Sequence, residues 1–477
     1  MVQNEAMLAR AFNAAMIASP GNLDLHVTRV DGVIPHALRG GRVLSNGPGW
    51  TSIGGRLAHP FDGHGYVRSF AFEADGSVRL RARFVDTKVY RDERAAGRLV
   101  HRGLGTNVSS HFWQNVGLGG PRNVANTTIV PWAGRLLAGW EGGAPYAIDE
   151  DSLETRGEET FGGVLAKQAT LAHFKIDSRQ QRLITASLVM GAQTKLTFRE
   201  FDAQGALVDT KETSLPGSHF AHDFVVTPRW YVLASNPLRM KFGELALTML
   251  GASTLLQSIA AKQGPGEMYL IPRGRPGPVR TVTLPGPTFV VHYGNAFDEG
   301  ETVQVDACLF PHFEFGQEFG FNGPLAPLDP ALPDARVPQR LFRISVGEHG
   351  ATWRQLAQHG LDFPRVHPAH DGLDTPALFG AARADLAHSD PFDSIIRVEL
   401  QDLERPPQVW TAQENVLVGE PLFAPVEDSG FLLVVTSDGI AQTSSLCVFD
   451  AKALEAGPVA TVPMPLLPYA FHGTWCP

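Results

Sequence analysis

"HFAHDFVVTPRWYVLASN", residues 219–236, holds two apolar runs rich in Val, Phe, Trp and Tyr, parted by Pro228 and closed by Asn236 and Pro237. β-Branched and aromatic side chains suit an extended, half-buried backbone, and proline removes a ladder donor, so the stretch reads as strand, break, strand. The same grammar continues on both sides. "VRLRARFVD" (78–86), "TTIVPWAGRLLAGW" (127–140), "RLITASLVM" (182–190), "SIIRVEL" (394–400) and "GFLLVVTSD" (430–438) are strand-like runs separated by Gly, Pro, Asp and Asn clusters. The 49 glycines and 35 prolines supply that punctuation. Many short strands without alternating helices point to an all-β barrel, sandwich or propeller. Seven propeller blades would each have more residues than four strands need, leaving room for long loops on one face. No internal repeat marks the blades, and the expectation is one β-propeller domain over 1–477.

One stretch breaks the pattern. "KFGELALTMLGASTLLQSIAAKQGPG", residues 241–266, is helix-like, with Leu245, Leu247, Met249, Leu250, Leu255, Leu256 and Ile259 around much of its circumference. Its apolar part is too short and interrupted to span a bilayer. A helix this apolar needs something to bury it, and residues 241–262 are expected to form a helical insertion that either packs on the propeller or, the favoured reading, dips into a membrane interface beside a substrate entrance.

Hydrophobic residues make up 43% of the 477 and charged residues 19%, a globular composition with ample core material. The net charge of -9, without blocks of like charge, excludes nucleic acid as a partner. Cys308, Cys447 and Cys476 are three widely spaced cysteines with no CxxC pair, which fits a reducing compartment. The alanine-rich start, interrupted by Glu5 and Asn13 with no basic segment before it, reads as a short amphipathic helix rather than a signal peptide. A cytoplasmic protein is expected, peripheral on the inner membrane face, and no motif specifies an oligomeric state.

Of 17 histidines, four lie in or beside strand-like apolar runs: His173 in "ATLAHFKID", His222 in "HFAHDFVVT", His292 in "TFVVHYGNAFDEG" and His472 in "YAFHGTWCP". Buried imidazoles need partners, since an unpaired buried polar group costs roughly 1–3 kcal/mol. They are too far apart in sequence for one helix or hairpin, and converge only if strands of different blades point at a common axis. Imidazole suits Fe, Zn, Cu and Ni, with carboxylates accepting the outer ring N–H groups. The apolar "PLLPYAFHGTWCP" (465–477) then reads as a strand closing the propeller rather than a frayed tail.

These motifs resemble the carotenoid cleavage oxygenases, non-haem iron enzymes that include stilbene-cleaving dioxygenases and the retinoid isomerase. The resemblance runs through nearly the whole chain: "IPHALRGGRVLSNGPG" (34–49), "HPFDGHGYV" (59–67), "NVANTTIV" (123–130), "LLAGWEGGAPYAIDEDSLETRG" (136–157), the four histidine motifs, "DFPRV" (362–366) and "GEPLFAP" (419–425). It implies a seven-bladed β-propeller with a helical and loop cap over an axial Fe(II) held by His173, His222, His292 and His472. It also implies outer carboxylates at Glu141, Glu420 and Asp362. Aspartate stands there where the family has glutamate, so it must draw its strand inward or work through a water. His219 precedes the "HDF" triplet and is not expected to be a ligand. His64, in place of the family's aspartate, is expected to be structural or on the surface.

By the same resemblance Thr127 crowds one open iron position. Trp140, where stilbene-cleaving relatives commonly carry lysine, resembles the apocarotenoid-cleaving branch, and an aromatic wall suits a polyene. Phe310, Phe313 and Phe315 are expected along the substrate tunnel. The implied reaction joins O2 to one C=C of a carotenoid or apocarotenoid to give two carbonyl products, with a stilbene or phenylpropene as the alternative substrate.

Overall fold

Each strand-like run forms strand in the computed structural model, which describes residues 5–118, 122–261, 264–311, 338–388 and 391–477. "WYVLASN" opens the strand Trp230–Met240. "TTIVPWAGRLLAGW" becomes two strands, Thr128–Trp132 and Arg135–Gly139. Ala133 and Gly134 both take positive φ between them, as a two-residue turn matched to strand twist requires.

The described strands assemble into seven antiparallel sheets of four to six strands, the blades of a seven-bladed propeller, and one further two-stranded ribbon. The first blade is shared by both ends of the chain. Its strand order is Leu23–Val27, Val78–Phe84, His64–Phe72, Arg42–Asn46 and then His472–Cys476. Asn46 pairs with His472 and Arg42 with Cys476, which closes the ring. Gly473 is required there, because a Cβ would collide with the Leu44 carbonyl and with Leu422 of the neighbouring blade.

Neighbouring blades pack through apolar faces. Val43, Phe70 and Leu80 of the first blade meet Leu433, Leu446 and Val462 of the last, and Val232 and Leu270 of the fourth meet Val303 and Ile344 of the fifth. Blade strands are therefore buried on both faces, as Leu361–Arg365 and Ala377–Ala382 are. The expected N-terminal helix is Glu5–Ile17, whose Leu8, Ala11 and Ala15 pack against Leu417 and Tyr469.

The apolar stretch departs from expectation. Helix covers only Phe242–Met249, followed by a single 3-10 turn at Leu256–Ser258 and a strand Ile259–Ala261 that pairs back onto Trp230–Met240. Long-range contacts stop the helix. Arg102 donates to the carbonyls of Thr248 and Ser253, Asn115 donates to that of Gly251, and Gly251 turns left-handed with φ +79°. These bonds occupy carbonyls that a longer helix would use internally.

Candidate metal centre

Inner segments of the seven blades meet at the axis, and each brings one side chain of interest. Thr127 precedes Thr128–Trp132, His173 precedes Lys175–Asp177, and His222 lies between His219–Phe220 and Val225–Val226. His292 lies in Phe289–Glu299, Asp362 in Leu361–Arg365, Glu420 between Val416–Val418 and Leu422–Val426, and His472 opens the closing strand. Glu141 enters from the end of the second blade's hairpin, just after Trp140.

The four histidines converge. One nitrogen from each lies within 4.8 Å of the others, and Nε2 of His173 and His222 are 3.0 Å apart. The rings meet edge to face at 67–79°, with centroid separations of 4.4 Å for His173–His472 and 5.4 Å for His222–His292. His173, His292 and His472 are buried and His222 half-buried. His219 is elsewhere engaged, its ring between the Ser235 hydroxyl and the Pro216 carbonyl, both at 2.6 Å.

Carboxylates meet the outer nitrogens of three rings. His222 Nδ1 donates to Glu141, His292 Nδ1 to Asp362 at 2.8 Å and His472 Nδ1 to Glu420 at 3.0 Å. A carboxylate acceptor fixes the proton on Nδ1 and leaves the Nε2 lone pair free. Nε2 of His292 is buried with no hydrogen-bond partner among the described residues. Such an orphan costs free energy unless something accepts its lone pair. Four convergent imidazoles with that orphan among them fit a divalent transition metal.

Electrostatics favour neutral donors on two of the rings. Burial and the neighbouring imidazoles hold His173 well below the usual histidine range, and burial brings His472 down to about 4 despite Glu420. Burial pushes Glu420 up, but Arg365 and His472 outweigh it and the net shift is downward. At the short Glu141–His222 contact burial raises the carboxyl, while the carboxylate's charge overcomes burial and raises the imidazole.

Asp362 reaches His292 directly, without a water. Its strand has a register shift between Asp362 and Arg365, and Phe363 is left-handed at φ +53°. A bulky residue before proline resists that conformation, so the packing around it must hold it there. Phe363 donates its N–H to Asp362 at 2.8 Å, and its ring lies 5.5 Å from His292 and 5.4 Å from His472. Asp362→Ala is expected to weaken divalent-metal affinity about 10- to 100-fold, measured by competition with a chromophoric chelator.

Thr127 is buried, its N–H on the Gly139 carbonyl and its hydroxyl on Asn126. Trp140 is buried among Val89, Val124 and Leu104. Phe310 pairs across the sheet with Phe289 in a cluster with Leu238, Val291, Phe220, Leu256 and Ile259. That cluster joins the 241–262 insertion to the strands beside His222 and His292. Phe313 and Phe315 lie outside the described residues. His64 is structural and not on the surface: it is fully buried and contacts Glu93 at 2.9 Å. Sequence reasoning missed Phe363, Lys175, Asp223 and Arg365. Each lies within three residues of a site position, but nothing in the residue types revealed what they touch.

Comparison with known proteins places the family and the fold. The family model described as retinal pigment epithelial membrane protein, RPE65, matches residues 17–477. The chain is 30% identical to apocarotenoid-15,15'-oxygenase of Synechocystis sp., covering 96% of this chain and 94% of that one. It is also 30% identical to the chloroplastic carotenoid cleavage dioxygenase 7 of Oryza sativa, covering 95% and 88%. Isoeugenol monooxygenase of Pseudomonas putida is 28% identical, covering 94% and 93%. The crystal structure of cobalt-substituted Synechocystis ACO superposes with a TM-score of 0.90 at 28% identity over 98% of both chains. With a family match over nearly its full length and a relative 30% identical over most of both chains, the chain belongs to the RPE65 family, the carotenoid cleavage oxygenases.

Proposed function

We propose that this chain, acting as one domain over 1–477, is an Fe(II) dioxygenase that cleaves one C=C bond of a carotenoid or apocarotenoid with O2 to two aldehyde or ketone products. The observation that carries this reading is the convergence of four imidazoles, three of them held from behind by carboxylates. Relatives named as apocarotenoid and carotenoid oxygenases support it. Bound Fe(II) supplies the redox centre that engages O2, and the alkene itself supplies the electrons, both oxygen atoms ending in the products.

The chain's own residues hold and select. His173, His222, His292 and His472 hold the metal, and Glu141, Asp362 and Glu420 orient three of these rings through Nδ1–H. Thr127, beside Asn126 at the axis, would restrict access to the metal once it is bound. Trp140 and Phe310 form apolar walls for a polyene and align one double bond, a positioning role that needs no general acid or base. The test is mass spectrometry of products from iron-loaded protein under 18O2 with a panel of carotenoids and apocarotenals. Two carbonyl fragments, each with one heavy oxygen, are expected; an untouched panel overturns the reading.

A second reading, cleavage of a stilbene or phenylpropene, is favoured by the relatives named isoeugenol monooxygenase and lignostilbene-alpha,beta-dioxygenase. Hydroxystilbenes and isoeugenol in the same panel decide it, because only that reading yields aromatic aldehydes.

Delivery of an insoluble polyene from lipid fits the surface. Phe242 is 79% exposed and Met249 74%, and Leu247 and Leu250 lie exposed with them. Phe112, Trp113 and Val116 are exposed on the segment that Asn115 and Gly251 hold against this helix. No described helix is long and apolar enough to cross a membrane, and the contact proposed is a peripheral one through these exposed side chains. Replacing Trp113, Phe242 and Met249 together by glutamate is expected to cut sedimentation with phosphatidylcholine vesicles at least about tenfold. Turnover of a detergent-dispersed substrate should be little changed.

A further inference from the structure

The four histidines come from four different blades, and blades meet largely through apolar packing. Apolar contact is non-directional and sets separation better than it sets register along the axis. Imidazoles that must share one metal need that register held to a fraction of an ångström. Directional bonds between the histidine-bearing segments are therefore required, and one buried carboxylate makes most of them.

Asp223 follows His222 directly, and its side chain is 2% exposed. Its Oδ1 accepts from the Phe224 N–H at 2.7 Å, and its Oδ2 accepts from the Tyr293 N–H at 3.3 Å. Lys175 Nζ approaches both oxygens, at 2.8 Å and 3.1 Å. Tyr293 follows His292, and Lys175 lies two residues after His173. One carboxylate thus joins three neighbouring blades within two residues of three histidines. The fourth is tied separately: Glu420 accepts the Gly473 N–H at 2.7 Å, and Arg365 bridges Glu420 at 2.6 Å to the Gly473 carbonyl at 3.2 Å.

We infer that Asp223 is a positioning residue that sets the register of the His173, His222 and His292 segments, with Lys175 as the arm that extends it to the third blade. Neither side chain is among those that hold the metal. Both act through the backbone next to those that do. The inference rests on the metal-site reading above.

The test uses the full chain, stripped of metal and loaded anaerobically with Co(II). Affinity is read by chelator competition, the ligand field by visible absorption, and folding by the thermal midpoint of the metal-free protein. The parent should take up one Co(II) per chain. Asp223→Ala should lose at least about tenfold in affinity, with shifted visible bands. Asp223→Asn, which keeps an acceptor for only one of the two N–H groups and loses the charge facing Lys175, should fall between. Lys175→Met should shift the bands in the same direction by less. A merely structural role would lower the thermal midpoint and leave the bands in place. If Asp223→Ala does not fold, the other two variants carry the test. Parent-like affinity and bands in the folded variants overturn the inference alone. A parent that takes up no Co(II) overturns the metal reading, and the inference with it.

Discussion

A chain ending at Phe471 is expected to bind no metal and to cleave no alkene. Deleting residues 472–477 removes one of four convergent donors and, with it, the strand His472–Cys476 that closes the first blade against Arg42–Asn46. It also removes Trp475, whose ring lies 5.9 Å from that of Phe72 and packs on the cluster joining the first and last blades. Truncating a large aromatic from such a cluster costs about 3 kcal/mol or more, before the lost ladder bonds are counted. His472→Ala separates the two effects. It keeps the strand and should fold with a thermal midpoint near the parent's, yet metal stoichiometry after loading should drop toward zero. A truncated chain with parent-like metal content would contradict the assignment of His472.

Glu93→Ala is expected to cost about 3–5 kcal/mol of stability, the usual consequence of breaking a buried ion pair from one side. Glu93 is fully buried and receives Arg122 through both Nη atoms, at 2.5 and 2.9 Å, and His64 at 2.9 Å. Its loss strands a guanidinium that is 2% exposed, with only the Asp62 and His101 carbonyls left to it among the described residues. Arg122 leads directly into the segment carrying Asn126 and Thr127, so the damage reaches the axis. Denaturant unfolding measures the loss. The same network sets an acid limit. Burial pushes the Glu93 carboxyl up, but His64 and Arg122 outweigh it and bring it from 4.5 to about 2. A depressed carboxyl contributes its stability in full above pH 4.5, and that contribution drains as pH falls toward 2. Urea midpoints of the parent should decline across that window more steeply than those of Glu93→Gln.

Sequence and structure agree where local chemistry decides the outcome. Strand runs such as "WYVLASN" were legible because their residue types prefer extended backbone and their ends carry proline and asparagine. The histidine set was legible through the order of its motifs, since spacing alone leaves convergence to the propeller. The insertion helix ran past its true end because its stop lies far off in sequence, at Arg102 and Asn115. Asp362 posed a question of reach that its own residue type could not answer. The answer lies in the left-handed turn at Phe363, held by packing against two histidines. Asp223 was passed over as the middle of a triplet because its partners sit in two other blades.

The pairing of Asn46 with His472 joins residues 426 positions apart. During synthesis, the segments bearing His173, His222 and His292 leave the ribosome before the fourth donor has been made. Contacts so distant in sequence form late, after the intervening loop entropy has been met by other folding. The four ring nitrogens therefore cannot meet before the ring of blades has shut. Ring closure thus ties completion of the four-histidine cluster to completion of the fold.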